Sequence, residues 1–159
     1  MDFVIRDAKE EDMMQVFDLI KELALFVNDP DAVILTVDDL RKDGYGKLPL
    51  FHCFVAENNM KVIGMALIYP RYSTWKGMTV HLEDLIVKED ARGYGIGSKL
   101  FEEVIKYGKK LEVKRIEWAV LDWNEPAINF YEKNGAHILR DCVAVQLDQK
   151  EINNFISRL

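Results

Sequence analysis

The feature that most constrains the fold is the run Arg-Gly-Tyr-Gly-Ile-Gly at residues 92–97. It follows the apolar run 78–87 and precedes helical spacing of apolar residues, so we expect a strand that turns directly into a helix. Glycine allows the backbone to approach a ligand without a Cβ in the way. The first turn of a helix adds unpaired N–H groups and partial positive charge. The run therefore indicates either a phosphate-binding turn or a tight turn whose glycines only relieve strain.

Two other phosphate-binding patterns do not match this run. A nucleoside-triphosphate loop requires G-x-x-x-x-G-K-[ST], whereas GIGSK places a serine between glycine and lysine. A dinucleotide fingerprint requires G-x-G-x-x-G, and the spacing here is G-x-G-x-G. Nucleoside triphosphates and dinucleotides are thus disfavoured as ligands.

The remaining pattern predicts one α+β domain over residues 1–159, because no repeat or linker interrupts the chain. Strand candidates lie at 3–8, 51–57, 61–69, 78–87, 114–121 and 142–147. Helix candidates lie at 10–26, from Thr36 to a stop at Gly44, at about 97–111, from Pro126 to Gly135, and at 150–159. Consecutive antiparallel-like strands followed by alternating strands and helices predict a mixed sheet.

Charge and composition exclude several classes of partner. The formal net charge of −6 disfavours nucleic acid and anionic membrane surfaces. No apolar stretch approaches the roughly 18 residues that a membrane span requires, and no secretory signal is visible, so we expect a cytoplasmic protein. The only cysteines, Cys53 and Cys142, are predicted to be buried free thiols. The histidines lack zinc-site spacing, so no metal is expected.

The run 92–97 resembles the R/Q-x-x-G-x-G/A signature of the GNAT superfamily, the acetyl-CoA-dependent N-acetyltransferases. Segments such as YSTWKG, LEDLIV and AVLDWNEPAINFY are similar to the spermidine/spermine and thialysine N-acetyltransferases, and the resemblance covers nearly the whole chain. It implies a GNAT fold: a mixed, mostly antiparallel sheet of six to seven strands, flanked by helices. In that fold a splayed central strand pair holds acetyl-CoA.

The resemblance also implies which residues bind acetyl-CoA. The pyrophosphate would be held by Arg92, Gly93, Tyr94, Gly95, Ile96, Gly97 and Ser98. The pantetheine arm would lie along the backbone of Leu85, Ile86 and Val87. Further contacts would come from Asn124, Ala127, Tyr131 and Lys133. Asn124 is equally suited to cap the helix that follows it, and Lys133 is equally plausible as a solvated helix residue.

Acetyl transfer to an ammonium group requires a base near the amine and an acid near the departing sulfur. We expect Glu83 to be the base, which in the families it resembles acts through a water molecule. We expect Tyr131 to be the acid, since a phenol with a reference pKa of about 10 is protonated at neutral pH. From residue type alone, Glu83 could equally be a solvated strand-end carboxylate, Tyr131 a packed aromatic residue, and His81 the base.

The acceptor is expected to be a small primary amine that contacts Phe26, Val27, Trp75, Glu83 and Asp84. In a regular strand Asp84 points away from Glu83, but a bulge would turn both carboxylates towards the pocket. Val27 stands where the polyamine branch carries a glutamate, which favours short diamines or thialysine-like amino acids over long polyamines. The alternatives are a protein or peptide acetyltransferase and a non-catalytic acyl-CoA-binding module. The resemblance further implies a homodimer built through the last strand and helix.

Overall fold

The computed structural model describes residues 1–159, which form two compact units, Met1–Ala119 and Val120–Leu159. The first unit contains β1 (Val4–Asp7), α1 (Met13–Phe26), α2 (Val37–Tyr45), β2 (His52–Asn58), β3 (Lys61–Ser73), β4 (Gly77–Val87), α3 (Ile96–Lys110) and β5 (Ile116–Glu117). The second unit contains α4 (Glu125–Lys133) and α5 (Gln149–Ile156). No helix combines the length and the apolar composition needed to cross a membrane.

The five strands form one sheet in the order β1-β2-β3-β4-β5. The first three pairings are antiparallel and the β4–β5 pairing is parallel, which confirms a mixed, mostly antiparallel sheet. β5 pairs with β4 only at Val80 and His81, whereas β4 continues to Val87. From Leu82 onwards β4 therefore has no strand partner on its β5 side, as expected for a splayed strand pair.

The predicted count of six to seven strands is wrong, because the sheet has five. Residues 142–147 alternate as a strand should, but they form no ladder, and Val143 and Val145 are 86% and 90% exposed. A strand requires a neighbour for its N–H and C=O groups, and no strand of this chain pairs with the segment. The fifth strand is likewise shorter than the predicted 114–121.

Local signals set the element boundaries in most places. The Thr36 side chain accepts a hydrogen bond from the Asp39 amide, and the Asp39 carboxylate accepts one from the Thr36 amide, so the predicted start of α2 is confirmed. Asn59 and Met60 have φ angles of 47° and 63°, which gives the two-residue hairpin turn between β2 and β3.

Gly44 does not stop α2 as predicted, since the helix continues to Tyr45. A Cβ at Gly44 would lie 2.6 Å from the nearest ring atom of Phe51. A side chain at this position would force the Phe51 ring to move, and this contact is not visible from helix propensity alone.

In one apolar core cluster, side chains of α1 and α2 pack with those of β2, β3 and β4. Its members include Met13, Val16, Leu19, Leu40, Val55, Met65, Leu67 and Ile86. Further buried side chains outside this cluster come from α3, among them Leu100 and Val104. Burial of each such side chain contributes roughly 1.5–3 kcal/mol. Cys53 is buried as predicted, whereas Cys142 is exposed, because the segment predicted to bury it as a strand stays unpaired.

Candidate active site

A bulge in β4 places two carboxylates at the start of its open edge. Leu82 pairs with Ile68 and Asp84 pairs with Leu67, so Glu83 has no partner of its own on β3. This is the bulge that the sequence left open as an alternative to a regular strand. The two carboxylates are adjacent in sequence at this bulge, and the charge of Glu83 adds to the effect of burial in raising the pKa of Asp84.

Tyr69 and His81 flank Glu83. Tyr69 and His81 pair across β3 and β4, with ring centroids 5.0 Å apart. His81 Nε2 lies 3.6 Å from Glu83 Oε2, while His81 Nδ1 is buried without a hydrogen-bond partner. Burial raises the pKa of Tyr69, and the charge of Glu83 and a hydrogen bond to that carboxylate raise it further. The Glu83 side chain thus interacts with His81 and Tyr69 and is 52% exposed to solvent.

Asp84 is the more buried of the two carboxylates. Its partner Leu67 belongs to the buried core cluster, and its charge also raises the pKa of the buried Cys53 thiol, after the effects of burial and Asp12. Burial first, and the charge of Glu83 second, raise the pKa of Asp84 to about 6. A cation beside Asp84 would lower that pKa again, so the site favours a positively charged ligand.

Asp84→Asn is expected to stabilise the fold at pH 8 by up to about 3 kcal/mol, because a shift of two pKa units corresponds to that free energy. The folded-state pKa lies above the unfolded one, so the free energy of unfolding of the wild type falls as pH rises from about 4 to about 6. The gain in the variant should therefore shrink as pH falls through that window. Urea denaturation at pH 5 and pH 8 measures both quantities.

The matched control for this variant is Asp90→Asn, which changes an exposed carboxylate in the turn after β4. It should leave the free energy of unfolding nearly unchanged at both pH values. If Asp84→Asn had the same free energy of unfolding as the wild type at pH 8 and at pH 5, burial would not destabilise the ionised Asp84 carboxylate.

The glycine run forms the connection from β4 to α3, and two of its glycines need their special conformation. Gly93 and Gly95 have φ angles of 85° and 81°, in the left-handed region that side chains disfavour. A Cβ at either position would meet no atom within 4 Å, so the space in front of the turn is open. Gly95 caps α3 without any side-chain hydrogen bond, which leaves the first N–H groups of the helix uncapped.

The remaining members of the run have separate roles. Ile96 is buried with 1% exposure and anchors the start of α3, so only its backbone faces the turn. Arg92 donates from Nε to the carbonyl oxygen of Val87 at 3.0 Å, and its guanidinium lies 5.8 Å from the ring centre of Phe26. The predicted acceptor residue Phe26 is thereby brought against the run. Tyr94 and Ser98 are exposed.

The predicted strand residues Leu85, Ile86 and Val87 lie on the open edge of β4. They pair with Ala66, Met65 and Gly64 on β3, and β5 does not reach them. Ile86 is buried with 5% exposure, while Leu85 and Val87 are half-buried. Their second hydrogen-bonding edge is free of any strand, which suits an extended ligand that binds as an additional strand.

The second unit contains the other four predicted cofactor residues, all on or at the start of α4. Asn124 caps the helix by accepting a hydrogen bond from the Ala127 amide at 3.3 Å, which confirms the structural alternative for this residue. Tyr131 is buried with 8% exposure, and burial raises its pKa to about 12. Lys133 is exposed in the last turn of the helix.

The predicted acceptor residues are not all brought together. Val27 caps the end of α1 and Trp75, which is 88% exposed, lies in the connection between β3 and β4. No group of three or more His, Cys, Asp or Glu side chains is arranged to hold a metal ion. Tyr69 was missed by sequence reasoning, because the register of β3 against β4, which pairs it with His81 and places it beside Glu83, is not visible in the sequence.

The chain matches the family model described as Acetyltransferase (GNAT) family over residues 13–136. It is 41% identical to the thialysine N-epsilon-acetyltransferase of Bos taurus over 87% of this chain and 86% of that protein. It is 36% identical to the spermidine/spermine N(1)-acetyltransferase-like protein 1 of Homo sapiens over 84% of this chain and 20% of that protein. An integron cassette protein from the mobile metagenome of V. cholerae has the same fold, with a TM-score of 0.80, 20% identity and 98% of both chains covered. With its splayed sheet and glycine turn, the chain belongs to the GNAT family of acetyltransferases and is an N-acetyltransferase.

Proposed function

We propose that this chain transfers an acetyl group from acetyl-CoA directly to the primary amine of a small cationic substrate, such as a diamine, a polyamine or a thialysine-like amino acid. The observation that carries the proposal is the pair Glu83 and Asp84 at the bulge where the open edge of β4 begins. Two carboxylates suit a cationic acceptor, and a free strand edge suits an extended cofactor arm. The names of the relatives from Bos taurus and Homo sapiens support an amine acceptor.

The glycine turn fits the diphosphate of coenzyme A. The open space before Gly93 and Gly95 admits a ligand close to the backbone, and the uncapped N–H groups of α3 supply donors to an anion. Arg92 adds a positive charge, and Leu85, Ile86 and Val87 offer their free strand edge to the pantetheine arm. The bound cofactor supplies an activated acetyl thioester.

The proton movements fall to two side chains of this chain. Glu83, exposed at the bulge and held by Tyr69, takes the proton of the acceptor ammonium through a water molecule. Asp84 contributes negative charge that attracts the acceptor, and Phe26, Val27 and Trp75 contribute to its pocket. Tyr131 presents a protonated phenol to the departing sulfur, because its pKa of about 12 keeps the proton in place at physiological pH.

The functional molecule is a single catalytic domain over residues 1–159 that works as a cytoplasmic homodimer. The family match runs from residue 13 to 136 and so includes parts of both compact units. The C-terminal segment leaves apolar side chains exposed at Val143, Val145, Leu147, Phe155 and Ile156. Such a segment is suited to burial against a second copy. Nucleic acid and membrane surfaces are not proposed as partners, because the chain is acidic.

A thiol-release assay with acetyl-CoA tests the function. Putrescine, spermidine, lysine, thialysine and a lysine-containing peptide are offered as acceptors, and release of coenzyme A should depend on a small amine. Release with the peptide alone would favour a protein acetyltransferase. Binding of acetyl-CoA without release for any acceptor would favour a non-catalytic acyl-CoA-binding module and overturn the proposal.

A further inference from the structure

His81 is a partly buried histidine beside the candidate base, and the proposed mechanism gives it no task. It stands two residues before Glu83 on β4, and its side chain is 17% exposed. The register of the sheet places it between Tyr69 on β3 and Glu117 on β5. Its ring packs on that of Tyr69, with the centroids 5.0 Å apart and an angle of 30° between the ring planes. Packing against a neighbouring strand therefore holds the imidazole in place.

The two ring nitrogens of His81 have different surroundings. Nδ1 is buried without a hydrogen-bond partner, whereas Nε2 lies 3.6 Å from Glu83 Oε2. A proton on Nδ1 alone would bury an N–H group without an acceptor and would turn the lone pair of Nε2 towards a carboxylate, and buried donors are rarely left without a partner. These contacts assign a proton to Nε2, which carries one in the other neutral tautomer and in the charged ring. His81 thus presents an N–H group to Glu83.

The other acid near His81 is occupied by two arginines. Glu117 Oε1 lies 3.0 Å from Arg71 Nη1, and Glu117 Oε2 lies 2.9 Å from Arg115 Nε. Both carboxylate oxygens in this cluster of Glu117, Arg71 and Arg115 therefore face guanidinium groups, which compensate the negative charge. Glu83 is the acid that remains for the N–H group of the imidazole.

The Glu83 side chain needs such a donor because of the bulge. In a regular strand the pleat sets the direction of each side chain, but Glu83 has no partner on β3 and is 52% exposed. Tyr69 supplies one donor, since its hydrogen bond to the Glu83 carboxylate contributes to the raised pKa of that phenol. The adjacent Asp84 is itself an acid and supplies none when ionised. An ionised carboxylate has about four acceptor sites, so a second donor still leaves room for a water molecule.

We propose that His81 is a positioning residue: its Nε2–H group donates a hydrogen bond to Glu83 Oε2 when the acceptor binds, and with the Tyr69 hydroxyl it aims the carboxylate at the water molecule that takes the acceptor's proton. This inference rests on the proposed function, in which Glu83 is the base. The proton on Nε2 stays there throughout. A small side-chain rotation shortens the separation of 3.6 Å to a hydrogen bond of about 3 Å, and catalytic hydrogen bonds are often long until the substrate is bound.

Two substitutions separate the donor of His81 from its ring. His81→Phe keeps an aromatic ring against Tyr69 and removes the donor. His81→Gln removes the ring and keeps an amide N–H as many bonds from the backbone as Nε2. His81→Phe should lower kcat by about 10- to 100-fold with little change in KM, as expected for loss of a hydrogen bond to a charged group, and His81→Gln should stay within about threefold of the wild type. The reverse order of losses would show a packing role and overturn the inference.

The pH profile gives a second readout that a packing role would not change. A hydrogen bond to the ionised carboxylate favours that form over the protonated one. In His81→Phe, the pH at which kcat/KM falls to half on the acid side should therefore move upwards by about one pH unit, which corresponds to a tenfold loss. In His81→Gln it should stay where it is in the wild type.

His52→Phe is the matched control. His52 also stacks on a tyrosine ring and lies 3.0 Å from an aspartate carboxylate. Its register partner on β3 is Ile68, the neighbour of Tyr69, so it lies on the opposite face of the sheet. This variant should match the wild type in kcat and in its pH profile.

A double variant separates failure of this inference from failure of the proposed function. Adding His81→Phe to Glu83→Gln should cause no further loss of kcat, because the carboxylate that His81 positions is already absent. A full additional loss, or wild-type kcat and pH profile in His81→Phe alone, would overturn the inference and leave Glu83 as the base. Wild-type activity in Glu83→Gln, or absence of thiol release by the wild type with every amine, would overturn the proposed function and the inference with it.

Discussion

Replacing Tyr131 with phenylalanine is expected to lower kcat by about 100-fold or more, since a positioned hydrogen-bond donor to charge that develops in the transition state contributes roughly 10²- to 10³-fold. The phenol is buried on α4, and its pKa of about 12 means that it stays protonated throughout the working range. A thiol with a reference pKa of about 8.5 is the stronger acid of the two, so Tyr131 acts mainly as a hydrogen-bond donor to the departing sulfur. The affinity for acetyl-CoA should change little.

The pH dependence distinguishes this role from a structural one. Because a phenol with a pKa of about 12 stays protonated up to pH 10, the ratio of wild-type to variant kcat should be constant from pH 6 to pH 10. Steady-state thiol release gives that ratio, and calorimetry gives the dissociation constant of acetyl-CoA. Tyr107→Phe is the control, since it removes a phenol that stacks on His52 in the first unit. Unchanged turnover in Tyr131→Phe would remove this residue from the mechanism.

The parts of the fold that were predicted correctly depend on signals local in sequence. Thr36 and Asp39 are three residues apart and cap each other, and Asn124 caps α4 through the Ala127 amide. The glycine run is equally local, because two positive φ angles and a helix start follow one another within a few residues. In each case the chemistry of a short segment determines its conformation, whatever the rest of the chain does.

The parts that were wrong or missed depend on neighbours distant in sequence. Gly44 reads as a helix stop, and only the ring of Phe51 against its Cα shows why glycine stands there. The alternation at 142–147 shows that the segment is suited to a strand, but not whether a partner strand exists. The cluster of Arg71, Arg115 and Glu117 joins β3 and β5, so it requires a register that composition does not provide.

The candidate site lies between these two cases. The sequence indicated Glu83 and Asp84 through the resemblance, and it left the bulge open as an alternative to a regular strand. The register of β3 against β4 shows that the strand is bulged. Leu82 and Asp84 pair with two consecutive residues of β3, so Glu83 between them has no partner on that strand. The same register places Tyr69 beside Glu83, and the unequal burial of the carboxylates gives Asp84 its raised pKa.

Glu83→Gln is expected to lower kcat/KM at pH 7 by about 10²- to 10⁴-fold, the usual contribution of a general base. Glutamine keeps the size of the side chain and its contact with Tyr69, so the fold should be unaffected. Without the carboxylate, the variant depends on acceptor that is already deprotonated. Lysine-like amines have a reference pKa of about 10.4, so that fraction grows about tenfold per pH unit up to pH 10.

The loss of kcat/KM caused by Glu83→Gln should therefore shrink steadily as pH rises. Alkaline solution supplies the free amine that Glu83 and its water molecule otherwise produce in the bound complex. Profiles of kcat/KM from pH 6.5 to pH 10 for both proteins give the ratio directly. Glu102→Gln, on the exposed face of α3, is the matched change of an acid to its amide and should follow the wild type throughout. A loss of kcat/KM in Glu83→Gln that is the same at every pH would mean that Glu83 positions the acceptor without moving its proton. His81 or Asp84 would then be the base to test.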